Sequence, residues 1–367
     1  MPVSLPEAGL DAPPRRILII RLSAIGDVVF ASPLVDAVTQ RYPDAEVFWL
    51  AEPMVVPLLE HHPDLRGVIV WPRSEWRRLF RTGRWWRLFA AVRAFRYQLR
   101  AHHFELVLDV QGLLKSAFLA WLSGARHRVG FRSKEPTSVF LTQRLEKDTG
   151  PTISSEYRAF AMQLGLPTAS FKMQVPLSAA VSEWSREFQD GRPYIVFCPF
   201  TTRPQKHWVE SHWRQLAEMT VETGLRVVVL GAPSDVPACE RMFENIAIES
   251  MVGQCSLSQS AALVSQAHAL IGVDTGLTHM GWAFEVPTLA LFGSTCPYRD
   301  LGDLEGAVLY HELDCSPCRR NPTCGGAYHC MQQLTPEAVF SAGQRYFSTI
   351  SAPDPVIASS AIEGESV

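Results

Sequence analysis

Asp27 is the residue of this chain best placed for proton transfer. The apolar run Ile17–Ile20 predicts a strand, and Ser23–Gly26 predicts a turn into a helix at Asp27. A carboxylate there could face a cleft and act as a general base. It could equally cap the helix by accepting hydrogen bonds from its first backbone N–H groups. No G-x-G-x-x-G pattern follows the strand, so a dinucleotide site is not predicted.

A second segment could hold a diphosphate. Thr201, Thr202 and Lys206 follow the predicted strand Tyr194–Pro199. Hydroxyls and backbone N–H groups at a helix start donate hydrogen bonds to phosphate oxygens, and a lysine adds positive charge. The alternative is an ordinary loop with a solvated lysine, and the residues alone leave both interpretations open.

A third segment repeats this chemistry after the predicted strand Ala269–Val273, where Asp274, Thr275, Gly276 and His279 follow. Small residues at a strand-to-helix turn present backbone N–H groups to an anion, with His279 on the first helical turn. The alternative is capping by the aspartate and a packed histidine.

Asp235 lies in the turn that follows another predicted strand, Arg226–Leu230. A carboxylate at a strand end can accept hydrogen bonds from ribose hydroxyls, or it can be a turn aspartate. In open parallel sheets, ligands bind beyond the carboxyl ends of the strands. Three strand ends of one domain therefore direct phosphate- and ribose-binding chemistry toward one edge.

The basic aromatic segment, Arg73–Arg100, differs from the rest of the chain. It holds nine arginines, one acid (Glu75) and several Trp and Phe residues. Its aromatics could pack a surface helix onto the sheet. The segment could also bind an anionic lipid headgroup and the adjoining membrane surface.

Four cysteines lie within 16 residues near the end of the chain. Four thiolates at such spacing can close a tetrahedral zinc site. Reduced thiols in a loop and occasional disulfides are the alternatives. The residues are Cys315, Cys318, Cys324 and Cys330.

Composition limits the class of protein. The formal charge of −3 and the pI near 6.4 argue against a general nucleic-acid binder. No apolar run reaches 18 residues, and the N-terminus has no signal-peptide pattern, so a cytoplasmic protein is expected. A chain of 367 residues that is 47% hydrophobic suggests two domains.

Strand and helix patterns alternate in both halves of the chain, which predicts an α/β fold of two doubly wound domains facing a cleft. The polar stretch 176–191 is predicted to be a connection of low order. The predicted division is an N-terminal domain at 15–175, a C-terminal domain at 176–335, a helix at 336–350 and a disordered tail at 351–367.

Together these segments resemble glycosyltransferase family 9, the bacterial heptosyltransferases of lipopolysaccharide core assembly, and most closely its heptosyltransferase I branch. The resemblance runs from about Arg16 to about Phe347. The matching motifs are Ile25–Val28, Asp109–Ser116, Thr201–Arg203, Lys206–Trp208 and Asp274–His279.

This resemblance implies a GT-B fold and an inverting, single-displacement transfer of heptose from ADP-heptose without a catalytic metal or other required cofactor. Asp27 would be the general base. The C-terminal domain would bind the donor through Thr201, Thr202, Lys206, Asp235, Asp274, Thr275, Gly276 and His279. Asp235 stands where the heptosyltransferase I branch tends to have the longer Glu, so its ribose contact is the weakest match.

The N-terminal domain would bind the acceptor, an anionic lipid of the Kdo–lipid A type at the inner face of the inner membrane. Arg77, Arg78 and Arg81 match the family's basic loop, and Gln111 and Lys115 are expected to face the same cleft. The cysteine cluster departs from the heptosyltransferase I pattern. A related transferase with another nucleotide sugar or acceptor, or a non-catalytic nucleotide-sugar-binding module, remains an alternative.

Overall fold

Two parallel six-stranded sheets form the framework of the protein. The computed structural model describes residues 12–148 and 150–347. The first sheet contains β1 (Arg16–Ile20), β2 (Glu46–Ala51), β3 (Leu65–Val70), β4 (Leu106–Asp109), β5 (His127–Phe131) and β6 (Gln143–Leu145). The second contains β7 (Tyr194–Cys198), β8 (Arg226–Val229), β9 (Glu249–Ser250), β10 (Ala269–Val273), β11 (Thr288–Phe292) and β12 (Gly306–Tyr310).

The strand orders are the same in both halves. They run β3-β2-β1-β4-β5-β6 and, read from its opposite edge, β9-β8-β7-β10-β11-β12. This is the order of a doubly wound nucleotide-binding sheet, so the predicted α/β class with two Rossmann-like domains is confirmed.

Helices cover the two sheets and connect their strands. The first half contains α1 (Ile25–Ala31), α2 (Pro33–Arg41), α3 (Arg73–Arg81), α4 (Trp85–Ala101), α5 (Leu114–Ser123) and α6 (Ser155–Gln163). The second contains α7 (Ala179–Gln189), α8 (Glu210–Glu222), α9 (Val236–Met242), α10 (Leu257–Ser265), α11 (Gly276–Ala283), α12 (His329–Gln332), α13 (Pro336–Ala342) and α14 (Gln344–Phe347).

The central strand β1 shows why its sequence forms a buried parallel strand. Ile17 and Ile19 point into the core on one face, while Leu18 and Ile20 point into the core on the other. All four side chains are fully buried. A strand buried on both faces needs a continuous apolar run rather than an alternating pattern, and this segment has one.

Two sequence-based expectations about local structure are wrong. The helix predicted through Val28 and Val38 is two helices, because Pro33 has no N–H to continue the hydrogen-bond ladder of α1. The connection predicted at 176–191 contains α7, which Ser178 caps by accepting a hydrogen bond from the N–H of Val181 at 3.3 Å.

The irregular chain between the two sheets lies at 166–178. We therefore propose to keep the domain division at residues 175 and 176. The C-terminal segment predicted as one helix at 336–350 is α13 and α14 as far as residue 347. The last three residues of that prediction and the tail predicted at 351–367 lie outside the described residues. Within the described chain, no helix is long and apolar enough to cross a bilayer.

The two halves meet where the first turns of α1 and α11 pack together. A Cβ on Gly26 would lie 2.3 Å from Cδ2 of His279, and a Cβ on Gly276 would lie 2.3 Å from Cγ2 of Ile25. Each glycine thus accommodates a side chain of the other half. A second attachment joins residues 151–153 to 299–300, where the N–H of Ile153 donates to the carbonyl of Asp300 at 2.9 Å.

The Gly26→Ala variant is expected to lose about 1–3 kcal/mol of unfolding free energy, the usual range for overpacking a close contact. His279 cannot give way easily, because both of its ring nitrogens are hydrogen-bonded. Thermal denaturation measures the effect. Gly67→Ala is the control, since a Cβ there lies 3.8 Å from its nearest neighbour. Equal melting temperatures for the two variants would contradict the tight contact.

Candidate active site

Asp27 lies in the first turn of α1 and combines the two roles that its sequence position left open. Its Oδ2 accepts a hydrogen bond from the N–H of Ala24 at 3.1 Å, so it caps the helix. The same oxygen forms an ion pair with Nη2 of Arg21 at 2.5 Å. Its side chain is 44% exposed. Among the described residues Oδ1 has no partner, so it is available to a ligand.

Arg21 contacts Asp27 in the candidate site and was not predicted from the sequence. It is buried directly after β1, and its Nη1 donates to the carbonyl of Val110 at 2.8 Å. The only signal in the sequence was an arginine within an otherwise apolar run.

The second half of the site is built around the buried carboxylate of Asp274. Its Oδ2 pairs with Nζ of Lys206 at 2.5 Å and accepts a hydrogen bond from the hydroxyl of Thr295. Its Oδ1 lies 3.2 Å from Nε2 of His279. Burial would raise the pKa of Asp274, but the His279 hydrogen bond and the nearby positive charges outweigh burial and hold that pKa well below its usual range. Asp274 therefore stays ionised and orients Lys206.

His279 is buried between the two halves, so it contacts Asp274 rather than an open surface. Trp282 donates to the hydroxyl of Tyr298 at 2.8 Å, and that hydroxyl lies 2.8 Å from Nδ1 of His279. The network is satisfied when Tyr298 donates to Nδ1 and Nε2 donates its proton to Asp274. The ring of His279 also packs on Phe30 of α1, with centroids 4.6 Å apart.

The remaining predicted donor residues lie around this network. Thr201 is half-buried and its carbonyl contacts Nε2 of His207 at 2.8 Å, while Thr202 is exposed. Thr275 precedes the first residue of α11, Gly276, so backbone N–H groups of the helix start lie next to Asp274. These are groups that can bind an anion.

Asp235 has the contacts of a turn aspartate. Its Oδ2 accepts a hydrogen bond from the N–H of Ala232 at 2.9 Å, and Ser234 donates to its Oδ1 at 3.4 Å. It follows β8, as predicted, but these contacts are those of a local cap and do not by themselves indicate a ribose site.

A basic groove lies between α3 and the loop after β2. Its volume is about 650 Å³. Arg77, Arg78 and Arg81 line it and are exposed, and within the described chain none of them forms an ion pair. Arg73 also lines the groove, but its Nη1 pairs with Glu52 at 2.9 Å. The three unpaired arginines are thus available to an anionic ligand.

Gln111 and Lys115 follow β4 at the same edge. Oε1 of Gln111 accepts the N–H of Leu22 at 2.9 Å, which leaves its amide N–H groups for a ligand. Lys115 lies 3.7 Å from Glu52, and burial, followed by the charge of Arg73, lowers the pKa of Lys115. Both predicted residues therefore lie beside the loops that carry Arg21 and the basic groove.

Asp109 is a further residue that the prediction did not assign, although it begins one of the matching motifs. It is fully buried, and its carboxylate accepts hydrogen bonds from Ser116 at 3.0 Å and from the N–H of Gln111 at 3.1 Å. Burial raises its pKa to about 6 despite these bonds. Asp109 shapes the Gln111 turn.

The comparison with family models identifies the family of this chain. Residues 92–329 match the model of glycosyltransferase family 9 (heptosyltransferase), which is more than half of the chain. The chain belongs to glycosyltransferase family 9. The GT-B expectation is confirmed by both the sheets and this membership.

Characterised family 9 proteins align along most of the chain. Lipopolysaccharide heptosyltransferase 1 of Pseudomonas aeruginosa is 29% identical over 325 residues, which is 84% of this chain and 87% of that protein. Lipooligosaccharide heptosyltransferase 2 of Haemophilus influenzae is 26% identical over 345 residues, 88% of this chain and 96% of that protein. Both types match at similar identity, so identity alone does not separate them.

Solved structures of family 9 proteins share the fold. Escherichia coli heptosyltransferase WaaC with ADP superposes with a TM-score of 0.71 at 26% identity, covering 90% of this chain and 99% of that chain. A family 9 glycosyltransferase from Veillonella parvula gives a TM-score of 0.75 at 19% identity, covering 91% and 97%.

The zinc site predicted at the four cysteines of this family 9 chain stays a prediction. All four thiols are free, and among the described residues no three cysteines lie within 4.8 Å of one another. The group that does meet this distance is Asp36, His62 and Asp64. There, Nδ1 of His62 accepts the N–H of Asp64 at 3.2 Å, so Nε2 keeps the proton and is not a free ligand.

The cysteine segment also contacts the second half of the candidate site. The side-chain amide of Gln205, next to Lys206, donates to the carbonyl of Arg319 at 3.1 Å. The contact joins the cysteine segment to the loop that carries Lys206. The zinc prediction is tested by metal analysis of the purified protein, and less than a tenth of a zinc per chain would exclude it.

Proposed function

We propose that the chain transfers heptose from ADP-heptose to the Kdo–lipid A inner core of lipopolysaccharide. The observation that carries the proposal is the packing of α1, with Asp27 in its first turn, directly onto α11, which anchors the Lys206 network. A base and a phosphate-binding cation are thereby joined across one interdomain contact. The names of the relatives, lipopolysaccharide heptosyltransferase 1 and lipooligosaccharide heptosyltransferase 2, support heptose as the sugar and the lipopolysaccharide core as the acceptor class. The donor is supported by the name of a structural neighbour, Escherichia coli ADP-heptose lps heptosyltransferase II.

The proposed reaction is a single displacement with inversion. Asp27 takes the proton of an acceptor hydroxyl as that oxygen bonds to the anomeric carbon, and the bond from this carbon to the diphosphate oxygen breaks. Lys206, the hydroxyls of Thr201 and Thr202, and the N–H groups at the start of α11 stabilise the departing ADP. These hydrogen-bond donors and the Lys206 ammonium would stabilise the leaving diphosphate without a metal ion. Asp235 would reach the ribose only if a donor displaced its turn contacts.

Release of ADP from ADP-heptose, with and without Kdo–lipid A, tests this function. Acceptor-dependent release supports the donor, the reaction and the acceptor class together. Release only with an acceptor that already carries one heptose would assign the second type of transferase. Absence of donor binding would contradict the proposal and direct the search to other nucleotide sugars. Turnover that persists in excess EDTA is expected.

The acceptor is proposed to bind in the basic groove through Arg77, Arg78 and Arg81, with Gln111 and Lys115 near the accepting hydroxyl. The guanidinium groups suit the carboxylates and phosphates of a Kdo–lipid A acceptor, because each can form paired hydrogen bonds with an oxyanion.

The Arg77→Gln/Arg78→Gln variant is expected to raise the acceptor KM about tenfold, at roughly 1 kcal/mol or less for each lost charge. The KM for ADP-heptose should not change, because the donor network lies in the other domain. Steady-state kinetics with each substrate varied in turn measures this split. Arg66→Gln at the opposite end of β3 is the matched control. An equal rise in the KM for the acceptor and the KM for ADP-heptose would contradict an acceptor role.

The basic aromatic segment is also proposed to rest on the cytoplasmic face of the inner membrane. Its exposed side chains are Trp86 (88%), Phe89 (64%), Tyr97 (63%), Phe80 (58%) and Trp85 (57%). Exposed aromatics among arginines favour an anionic lipid surface. Such a location would bring the groove to its lipid acceptor. Sedimentation with phosphatidylglycerol vesicles, but not with phosphatidylcholine vesicles, is expected.

A further inference from the structure

Arg21 is a buried charge directly behind the reaction centre. Its side chain is 7% exposed, and its guanidinium divides its contacts between two elements. Nη1 donates to the carbonyl of Val110 after β4, while Nη2 pairs with Asp27. The guanidinium also lies 5.8 Å from the ring centre of Tyr157 on α6.

Fold stability alone does not account for an arginine at this place. A buried charge costs free energy unless its partners compensate fully. Here the partner carboxylate is 44% exposed, and Nε of Arg21 has no hydrogen-bond partner among the described residues. An apolar side chain would fill the space at lower cost, so the arginine is explained by what it does to Asp27.

The geometry of the ion pair selects one carboxylate oxygen. Arg21 and the N–H of Ala24 both bind Oδ2 of Asp27. Two donors on one oxygen fix the rotation of the carboxylate and leave Oδ1 to face the cleft. We propose that Arg21 is a positioning residue that holds Asp27 with Oδ1 directed at the acceptor hydroxyl. The inference rests on the proposed function, in which Asp27 is the base.

The second contact of Arg21 extends this alignment to the acceptor side. Val110 immediately precedes Gln111, whose Oε1 accepts the N–H of Leu22 at 2.9 Å and that of Ser23 at 3.4 Å. The turn before Asp27 is thus held against the end of β4 by bonds in both directions. During the transfer, the proton of the acceptor hydroxyl passes to Oδ1, and Arg21 keeps all of its protons.

A double-mutant cycle tests the inference. Arg21→Met is expected to lower the single-turnover rate about 10- to 100-fold, the effect of misplacing a catalytic group by about 1 Å. In the Asp27→Asn background, the same change should lower the residual rate less than about threefold, because Arg21 acts through Asp27. The KM for ADP-heptose and the affinity for ADP should stay within about twofold. Arg21→Lys should recover part of the rate, since it keeps the charge but cannot bind both partners as a planar fork.

Three outcomes would overturn the inference. A full rate in Arg21→Met, an equal loss in both backgrounds, or a parallel loss of ADP affinity would each assign Arg21 to the fold alone. Arg21→Lys is measured in the same cycle and provides the result if Arg21→Met does not fold. A full rate in Asp27→Asn is a different result, because it contradicts the base and therefore the proposed mechanism itself.

Discussion

The Asp27→Asn variant is expected to lose about 10³-fold in turnover, within the usual range for removal of a general base. The amide can still accept hydrogen bonds from Arg21 and from the N–H of Ala24, so α1 should keep its cap. What is lost is the ability to take a proton from the acceptor. The KM for ADP-heptose should therefore change little while kcat falls.

Acceptor-dependent ADP release measures this effect, with Asp44→Asn as the matched control. Asp44 is an exposed aspartate in the turn before β2 and lies outside the site. Near-normal turnover in Asp27→Asn would show that another group takes the proton, and a loss of donor binding would show that the residue supports the cleft instead.

The Lys206→Met variant is expected to lower kcat/KM for ADP-heptose about 10²- to 10³-fold, comparable to the removal of a preorganised transition-state donor. The negative charge on the leaving diphosphate grows as its bond to the sugar breaks, and Lys206 is held in place for it by Asp274. Lys172→Met is the control, because Lys172 forms an exposed pair with Glu285. Equal kinetic effects in the two variants would contradict the assignment.

A second variant separates the effect of Lys206 on the leaving diphosphate from its effect on the stability of the protein. Lys206→Met leaves the buried Asp274 without its cation, so the melting temperature should fall as well. Adding Asp274→Asn removes the unpaired charge and should restore much of the melting temperature without restoring turnover. Recovery of turnover would show that Lys206 acts only through stability.

The fold and the positions of the main site residues could be predicted because they depend on local patterns. Apolar runs mark β1, β7 and β10, and polar residues that follow them lie at one edge of each sheet once the strands are parallel. In this way Asp27, Lys206 and Asp274 were predicted as residues of the candidate site. The strands β5 and β9 were not, because β5 begins with His127 and Arg128 and β9 has only two residues.

The contacts between distant parts of the chain could not be predicted. Arg21 and Val110 are 89 positions apart, and they meet only because β1 and β4 are neighbours in the sheet. His279 had the right position for a donor ligand, yet its burial depends on Gly26 in the other half. The cysteine spacing predicts a metal site, and this stays a prediction because spacing alone does not decide whether four thiols come together.

The contacts between the halves also restrict how the cleft can open. Gly26 packs on His279, residues 151–153 pair with 299–300, and Pro53–Leu58 contacts α10. When two bodies rotate about a shared contact, atoms beside the contact travel through short arcs and those far from it through long ones. An opening of the cleft would therefore displace its rim most, while Asp27 and the His279 network, which lie at the contact, keep their alignment.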